Sequence, residues 1–320
     1  MASKILDNIN MGMSWTTYMG SVHGVLKGAG FWDDSVEMLM GMTGMAFHFI
    51  VHSQTCPSSV TVYNWVSEHF LMMDRIGICS ESTHIENPGN LNTFDKARTM
   101  AVSRIKESID NGIGVVVWAP TPVLEFGIIN GYDDDDEVFF VQDCMNKSPD
   151  PLLYSNLGKS EVPVLFIQRF YDRINVEPEK IFRDSLHFGL YQWERGSNIP
   201  MYASGRGGYL NLINALEKKD FNPFGLAYLL AVYADSKRNI ENYIKYIISE
   251  SKYLKGLDEA SDIYGDIKDK YNELTELVPF RGPGQGELND KNIGPVLKLF
   301  KECLDLEERA MGIIKRSLDS

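Results

Sequence analysis

Glu125 opens an otherwise apolar run, Phe126-Gly127-Ile128-Ile129. A carboxyl group held against apolar neighbours titrates above its usual range and can act as general acid or base. The alternative is an exposed carboxylate at a strand end. Asp143 closes the next apolar run, which starts at Val138. It would orient a partner near Glu125, share a proton with it if the two carboxyls approach, or build the turn before Asn146-Lys147-Ser148-Pro149. Thr16 and Thr17 stand where a helical pattern begins. Either could supply a hydroxyl nucleophile or hydrogen bonds to a ligand at a helix terminus that favours anions. A hydroxyl nucleophile needs an adjacent base, and a carboxylate is a weak one, so a plain N-cap competes with that role. Ser14 and Trp15 precede them as ligand-contact candidates, Trp15 either lining the same cleft or filling the core.

A second set is His48, His52 and Cys56, at i, i+4 and i+8. On one helix all three would share a face. Imidazole and thiolate are good zinc or copper ligands. Two turns span about 12 Å along a helix axis, so three ligands would hold one ion only if the helix broke before Cys56. A histidine pair with Glu68, Glu81 or Glu125 is the other metal arrangement. Structural histidines are the simpler one, and no metal or other cofactor is expected. Cys56 with a histidine from the same face is a displaced-nucleophile alternative. Arg206, within Gly205-Arg206-Gly207-Gly208, could hold a phosphate or carboxylate with backbone N–H groups. That motif lacks the Lys-Ser/Thr ending of a P-loop and also reads as a flexible connection. The Asp133 to Glu137 run lacks cation-loop spacing.

The elements that must position these groups change character along the chain. Thr17 to Lys27 has the pattern of a short helix. Asp33 would cap a second one that carries Val36, Leu39, Met40, Ala46, Phe47 and Ile50, with Gly41 and Gly44 marking close packing. Pro57 would begin a helix to about Met73. Thr93 would cap one from Phe94 to Asp110, ended by Asn111-Gly112. Strands are expected at Val115 to Trp118, Phe126 to Asn130, Val138 to Val141 and Val162 to Gln168, paired antiparallel. From Glu177 onward only helices are expected: Ile181 to Trp193, Gly208 to Leu216, Phe224 to Ala234, Ile240 to Leu254, Ala260 to Leu277 and Ile293 to Leu318. Pro279 to Gly286 breaks the last two apart. The expected class is α+β, with an α+β domain over 1–172 and an all-helical domain over 173–320.

Composition narrows the partners. The chain has 320 residues, 44% of them hydrophobic, and a net charge of −13. A chain this acidic is a poor ligand for nucleic acid or for anionic membrane surfaces. Its four cysteines, Cys56, Cys79, Cys144 and Cys303, form no CxxC pair and read as reduced thiols. The N-terminal residues show no signal-peptide pattern, and no run reaches the roughly 18 apolar residues of a membrane span. A cytoplasmic location follows by exclusion. The tyrosines of the helical half are expected in its core, with a homodimer face as the other use of part of that stripe.

One further pattern carries a family resemblance. Ser14-Trp15-Thr16-Thr17 leads into a helix ending at Gly28. The strand Val115 to Trp118, the run Glu125-Phe126-Gly127-Ile128-Ile129-Asn130-Gly131-Tyr132-Asp133-Asp134 and then Val138 to Asp143 follow in order. This resembles the papain-like group that contains C39 peptidases and the N-terminal domain of butirosin biosynthesis protein H. Leu39 to Phe47, Ala203-Ser204-Gly205 and Val278-Pro279-Phe280 are similar to a bacterial branch of it. The resemblance implies a papain-like cysteine-peptidase-type N-terminal half followed by an all-helical C-terminal half. It places the nucleophile position near Thr16 or Thr17, the histidine position at Glu125 and the third triad position at Asp143. The thiolate and the imidazole that make such enzymes nucleophilic at neutral pH are both replaced. A classical cysteine peptidase is therefore not expected. One expectation is a hydrolase or acyl transferase acting on a small amide or thioester. The alternative is a non-catalytic protein that binds a small molecule or peptide.

Overall fold

The computed structural model describes residues 3–196, 199–282 and 288–320. They form two compact units, residues 1–39 with 64–175, and residues 40–63 with 176–320. The later boundary falls three residues past the expected 172. The larger difference is the segment 40–63, which belongs to the second unit because its aromatic residues are buried there. Among the described residues no helix is long and apolar enough to cross a membrane.

The first unit is built on a seven-stranded, wholly antiparallel sheet. In chain order its strands are β1 (Ser3–Ile5), β3 (Ile78–Glu86), β4 (Val115–Trp118), β5 (Phe126–Asp133), β6 (Val138–Gln142), β7 (Leu152–Leu153) and β8 (Val164–Arg173). The spatial order is β3-β8-β4-β5-β6-β7, and β1 pairs with β5. Residues 115–118 of β4 and 126–132 of β5 are buried throughout, which explains why 115–118 and 126–129 lack the alternation of a half-exposed strand. The helices are α1 (Thr17–Gly28), α3 (Trp65–Arg75) and α4 (Phe94–Asp110). Phe126, the first residue of β5, sits in an aromatic cluster. Its ring centroid lies 5.3 Å from Tyr18, 4.9 Å from Trp65, 5.1 Å from Trp118 and 5.7 Å from Phe166. Edge-to-face packing of this kind fixes ring positions as well as burying area.

Three local expectations change here. The strand β3 escaped the sequence pattern because it is an edge strand, with Ser80, Glu81, Ser82, Thr83 and His84 in its middle. Helix α2 (Val36–Thr43) is capped by Ser35, whose Oγ accepts from Met38 N at 3.2 Å, and Asp33 does not take that role. Its end is set by Gly44, at φ 80°, a left-handed conformation that glycine adopts without strain. The chain then forms a short 3₁₀ turn, Met45–Phe47, the strand β2 (Ile50–His52) and a second 3₁₀ turn, Pro57–Thr61. His48, His52 and Cys56 therefore do not share a helix.

In the second unit, β2 pairs with β9 (Tyr202–Ser204), a strand where only helices were expected. The helices are α5 (Pro178–Glu194), α6 (Arg206–Lys218), α7 (Pro223–Glu250), α8 (Asp258–Leu277) and α9 (Asp290–Asp319). The two expected helices 224–234 and 240–254 are one, because the polar residues between them continue the helix, with Asp235, Ser236, Lys237 and Asn239 buried. Of the expected breaker Pro279 to Gly286, residues 283–286 lie outside the described residues. Phe49 packs 4.6 Å from Tyr209 and 4.5 Å from Tyr233. The Tyr233 hydroxyl donates to Ile50 O and accepts from Ile50 N.

The core of this unit holds a buried ion pair. Lys237 Nζ lies 2.7 Å from both oxygens of Glu307. Tyr209 and Tyr264 donate to the same carboxylate at 2.7 and 3.1 Å, and Tyr271 donates to Tyr209 at 3.2 Å. The ammonium also sits 4.6 Å from the Phe49 ring centroid. Four helices, α6 to α9, meet on one carboxylate whose lone pairs are all used.

Candidate functional site

Glu125 stands at the end of the tight connection between β4 and β5, with Phe126 buried directly after it. Thr17, the first residue of α1, is 7% exposed, and its hydroxyl donates to Glu125 Oε2 at 2.6 Å. The same Oγ accepts from Phe126 N at 3.2 Å. The start of α1 is thus tied to the start of β5 by one hydroxyl that both donates and accepts. A hydroxyl-to-carboxylate bond of this length is charge-assisted.

Asp143 reaches Glu125 through the backbone. Its Oδ2 accepts from the Thr121 hydroxyl at 2.6 Å, and Thr121 Oγ accepts from Val123 N at 3.2 Å. Val123 O in turn accepts from Glu125 N at 2.9 Å. At the other end of the connection, Ala119 N donates to Glu125 O at 2.8 Å, and Ala119 is held at φ 44°. A non-glycine residue in that region persists only where its surroundings over-determine it. Asp143 Oδ1 accepts from the backbone N–H groups of Met145 and Asn146 at 2.7 and 2.6 Å. Asp143 therefore builds its own turn, as one of its expected roles had it, and is linked to the 119–125 connection through Thr121. The direct side-chain contact to Glu125 comes from Thr17.

Thr16 occupies the N-cap position, but its hydroxyl makes no capping bond; its backbone N donates to Ser14 Oγ at 3.1 Å. Trp15 is 43% exposed, so it is not a core residue. The site contains one group that the sequence did not single out. The Cys144 thiol, in an exposed residue, is pushed up to about 11 by partial burial and then by the negative charges of Glu125 and Asp143. Its place directly after Asp143 was the available signal. It is a protonated thiol at neutral pH, the opposite of an activated nucleophile.

The remaining candidates lie elsewhere. Arg206 belongs to the second unit, is exposed, and its Nε stands 3.5 Å from Glu308. Gly205 N is already bonded to Phe49 O at 2.8 Å, and Gly208 N to Gly205 O at 3.0 Å, so these N–H groups are not aimed at an anion. His48 is buried between Tyr63 and Phe188, with its Nε2 3.3 Å from Gln192 Nε2. His52 Nδ1 accepts from Gln54 N at 3.0 Å. These histidines belong to the second unit and Glu68, Glu81 and Glu125 to the first. Among the described residues no group of three His, Cys, Asp or Glu is placed to hold a metal ion. In the acidic turn, Asp133 Oδ1 accepts from Asp135 N and Asp136 N, while Asp134 pairs with Lys106 at 2.7 Å.

The chain matches no protein-family model, and no curated protein matches it.

Proposed function

We propose that the first unit is a papain-like-type site for acyl chemistry, a hydrolase or acyl transferase acting on a small amide or thioester. The carrying observation is the 2.6 Å bond from Thr17 to Glu125, which holds a half-buried carboxylate in one orientation. In this proposal Glu125 is the general base. It takes a proton from water or from the N–H or O–H of an acceptor as that group attacks the substrate carbonyl. It returns the proton to the departing amine or thiolate. A base placed this way contributes about 10²- to 10⁴-fold to rate. The attack is direct, with no covalent acyl-enzyme. Thr17's hydroxyl is engaged in its hydrogen bond to Glu125 and its residue is buried, and the Cys144 thiol stays protonated. Thr17 and Asp143 are positioning residues, one acting on the side chain and the other on the loop.

The test is turnover of a panel of small thioesters and amides by wild type and Glu125→Gln. The variant should fold, judged by circular dichroism, and lose about 10²- to 10⁴-fold in kcat. Equal turnover by the two proteins would falsify the role of Glu125.

The second reading is a binding protein that uses the same carboxylate to accept hydrogen bonds from a small ligand or a peptide. It is favoured by the double engagement of the Thr17 hydroxyl, which leaves no activated nucleophile. Native mass spectrometry separates the two: a small molecule retained through purification, with no turnover of any substrate tested, supports binding alone.

A further inference from the structure

Residues 6–16 form a strap laid along α1 in the first unit. Leu6 N donates to Asn130 O at 2.8 Å and Asn8 Nδ2 to Gly28 O at 2.7 Å. Gln142 Nε2 donates to Ile9 O at 2.8 Å, and Met11 N to Gln142 Oε1 at 3.1 Å. Gly12 N donates to Gly20 O at 2.8 Å. Helix α1 receives the strap on glycines: a Cβ on Gly20 would stand 2.6 Å from Gly12 O, and one on Gly28 2.6 Å from Ile9 Cγ1. One on Gly24 would run into Asn10 O. The strap then continues through Ser14, Trp15 and Thr16 into Thr17 itself.

His23 lies on the same helix, half-buried. Its Nε2 is 3.0 Å from Asp34 O. A carbonyl only accepts, so Nε2 carries the hydrogen and the neutral ring's lone pair is on Nδ1. Nδ1 is sealed from solvent and has no hydrogen-bond partner. It faces Gly12, where an added Cβ would come within 2.7 Å of it. A second ring proton must sit on Nδ1, against the Gly12 Cα and away from water.

We infer that His23 is a pH-sensitive latch: its protonation at Nδ1 undocks the strap at Gly12 and shifts the Ser14-Trp15-Thr16 segment at the candidate site. The charged groups around the ring are Lys27 on α1, which opposes protonation, and Asp34 and Glu37 before and within α2, which favour it. From residue 8 to 16 the strap has no ionisable side chain. Burial is the largest influence and holds the imidazole below its ordinary 6.5. The docked state therefore binds fewer protons than the undocked one. Its preference is complete above pH 6.5 and is lost as pH falls through the depressed value. The latch operates whether or not Glu125 is catalytic.

Amide hydrogen exchange of Met11 and Gly12, corrected for intrinsic rates, tests it in the full chain. Between about pH 7.5 and about pH 5, wild type should lose protection at these amides progressively. His23→Gln keeps a donor for Asp34 O and cannot titrate, so its protection should stay constant. Unchanged protection in wild type, or an equal loss in His23→Gln, overturns the latch. Should that variant not fold, NMR titration of wild type decides instead. Coincident midpoints for the His23 ring and the Gly12 amide support it. A ring that titrates with Gly12 unmoved, or that stays neutral until the whole chain unfolds, refutes it.

Discussion

Thr17 has one hydroxyl and two duties. Replacing it with Val keeps the shape, removes the donor to Glu125 and leaves the Phe126 N–H without its acceptor. An unsatisfied buried donor costs about 1–3 kcal/mol. Thr17→Val should therefore lower the thermal midpoint clearly, while Thr17→Ser should recover most of it. Equal midpoints for Val and wild type would mean that the hydroxyl holds nothing. At this scale Glu125 and Asp143 drew attention because polar residues at the ends of apolar runs stand out, and Thr17 because a helical pattern begins there. Their division of labour was not legible. Asp143 acts through Thr121 and Val123, a path that depends on how one seven-residue loop bends.

Among the elements, α2 shows a contest between two effects. Gly41 lies inside this helix, where Ala would gain about 1 kcal/mol of propensity. A Cβ there would run into the Tyr243 ring, and overpacking of that kind costs about 1–3 kcal/mol. The steric term should win, so Gly41→Ala is expected to destabilise, read from denaturant midpoints. A stabilised Gly41→Ala would show that the Tyr243 ring moves aside freely. Elements with clear local punctuation were legible: α4 runs from Phe94 to Asp110 and ends before Asn111-Gly112, as its sequence predicts, although the Thr93 side chain makes no capping bond. The strand β3 was not, since what makes it a strand is its pairing with β8 over Ile78 to Glu86. The spacing of His48, His52 and Cys56 misled for a related reason. A helical period has no meaning once Gly44 ends the helix.

For the molecule as a whole, the buried Lys237–Glu307 pair makes the core of the helical unit sensitive to a single substitution. Both residues are nearly inaccessible, at 1% and 2% exposed. Removing one partner leaves an uncompensated charge in an apolar core, at about 3–5 kcal/mol. Glu307→Leu or Lys237→Met alone should reduce stability by about that much, measured by chemical denaturation. The double variant should recover most of the loss, because two buried charges disappear together. A double variant no more stable than the singles would show that the tyrosine hydrogen bonds around the carboxylate, and not charge balance, hold the core.

The sequence by itself determined the α+β class, four of the antiparallel strands and the largely helical second half. These follow from composition and from periods of two and 3.6 residues, which any short window contains. Only the tertiary structure decided which polar groups meet. It brought Thr17 to Glu125, Tyr209 to Glu307 and His23 to Gly12, and it sent residues 40–63 to the second unit. The first of those contacts joins residues 108 apart in the chain. A hydrogen bond at that separation is fixed to tenths of an ångström by the packing of whole elements, and no local pattern in the sequence carries that information.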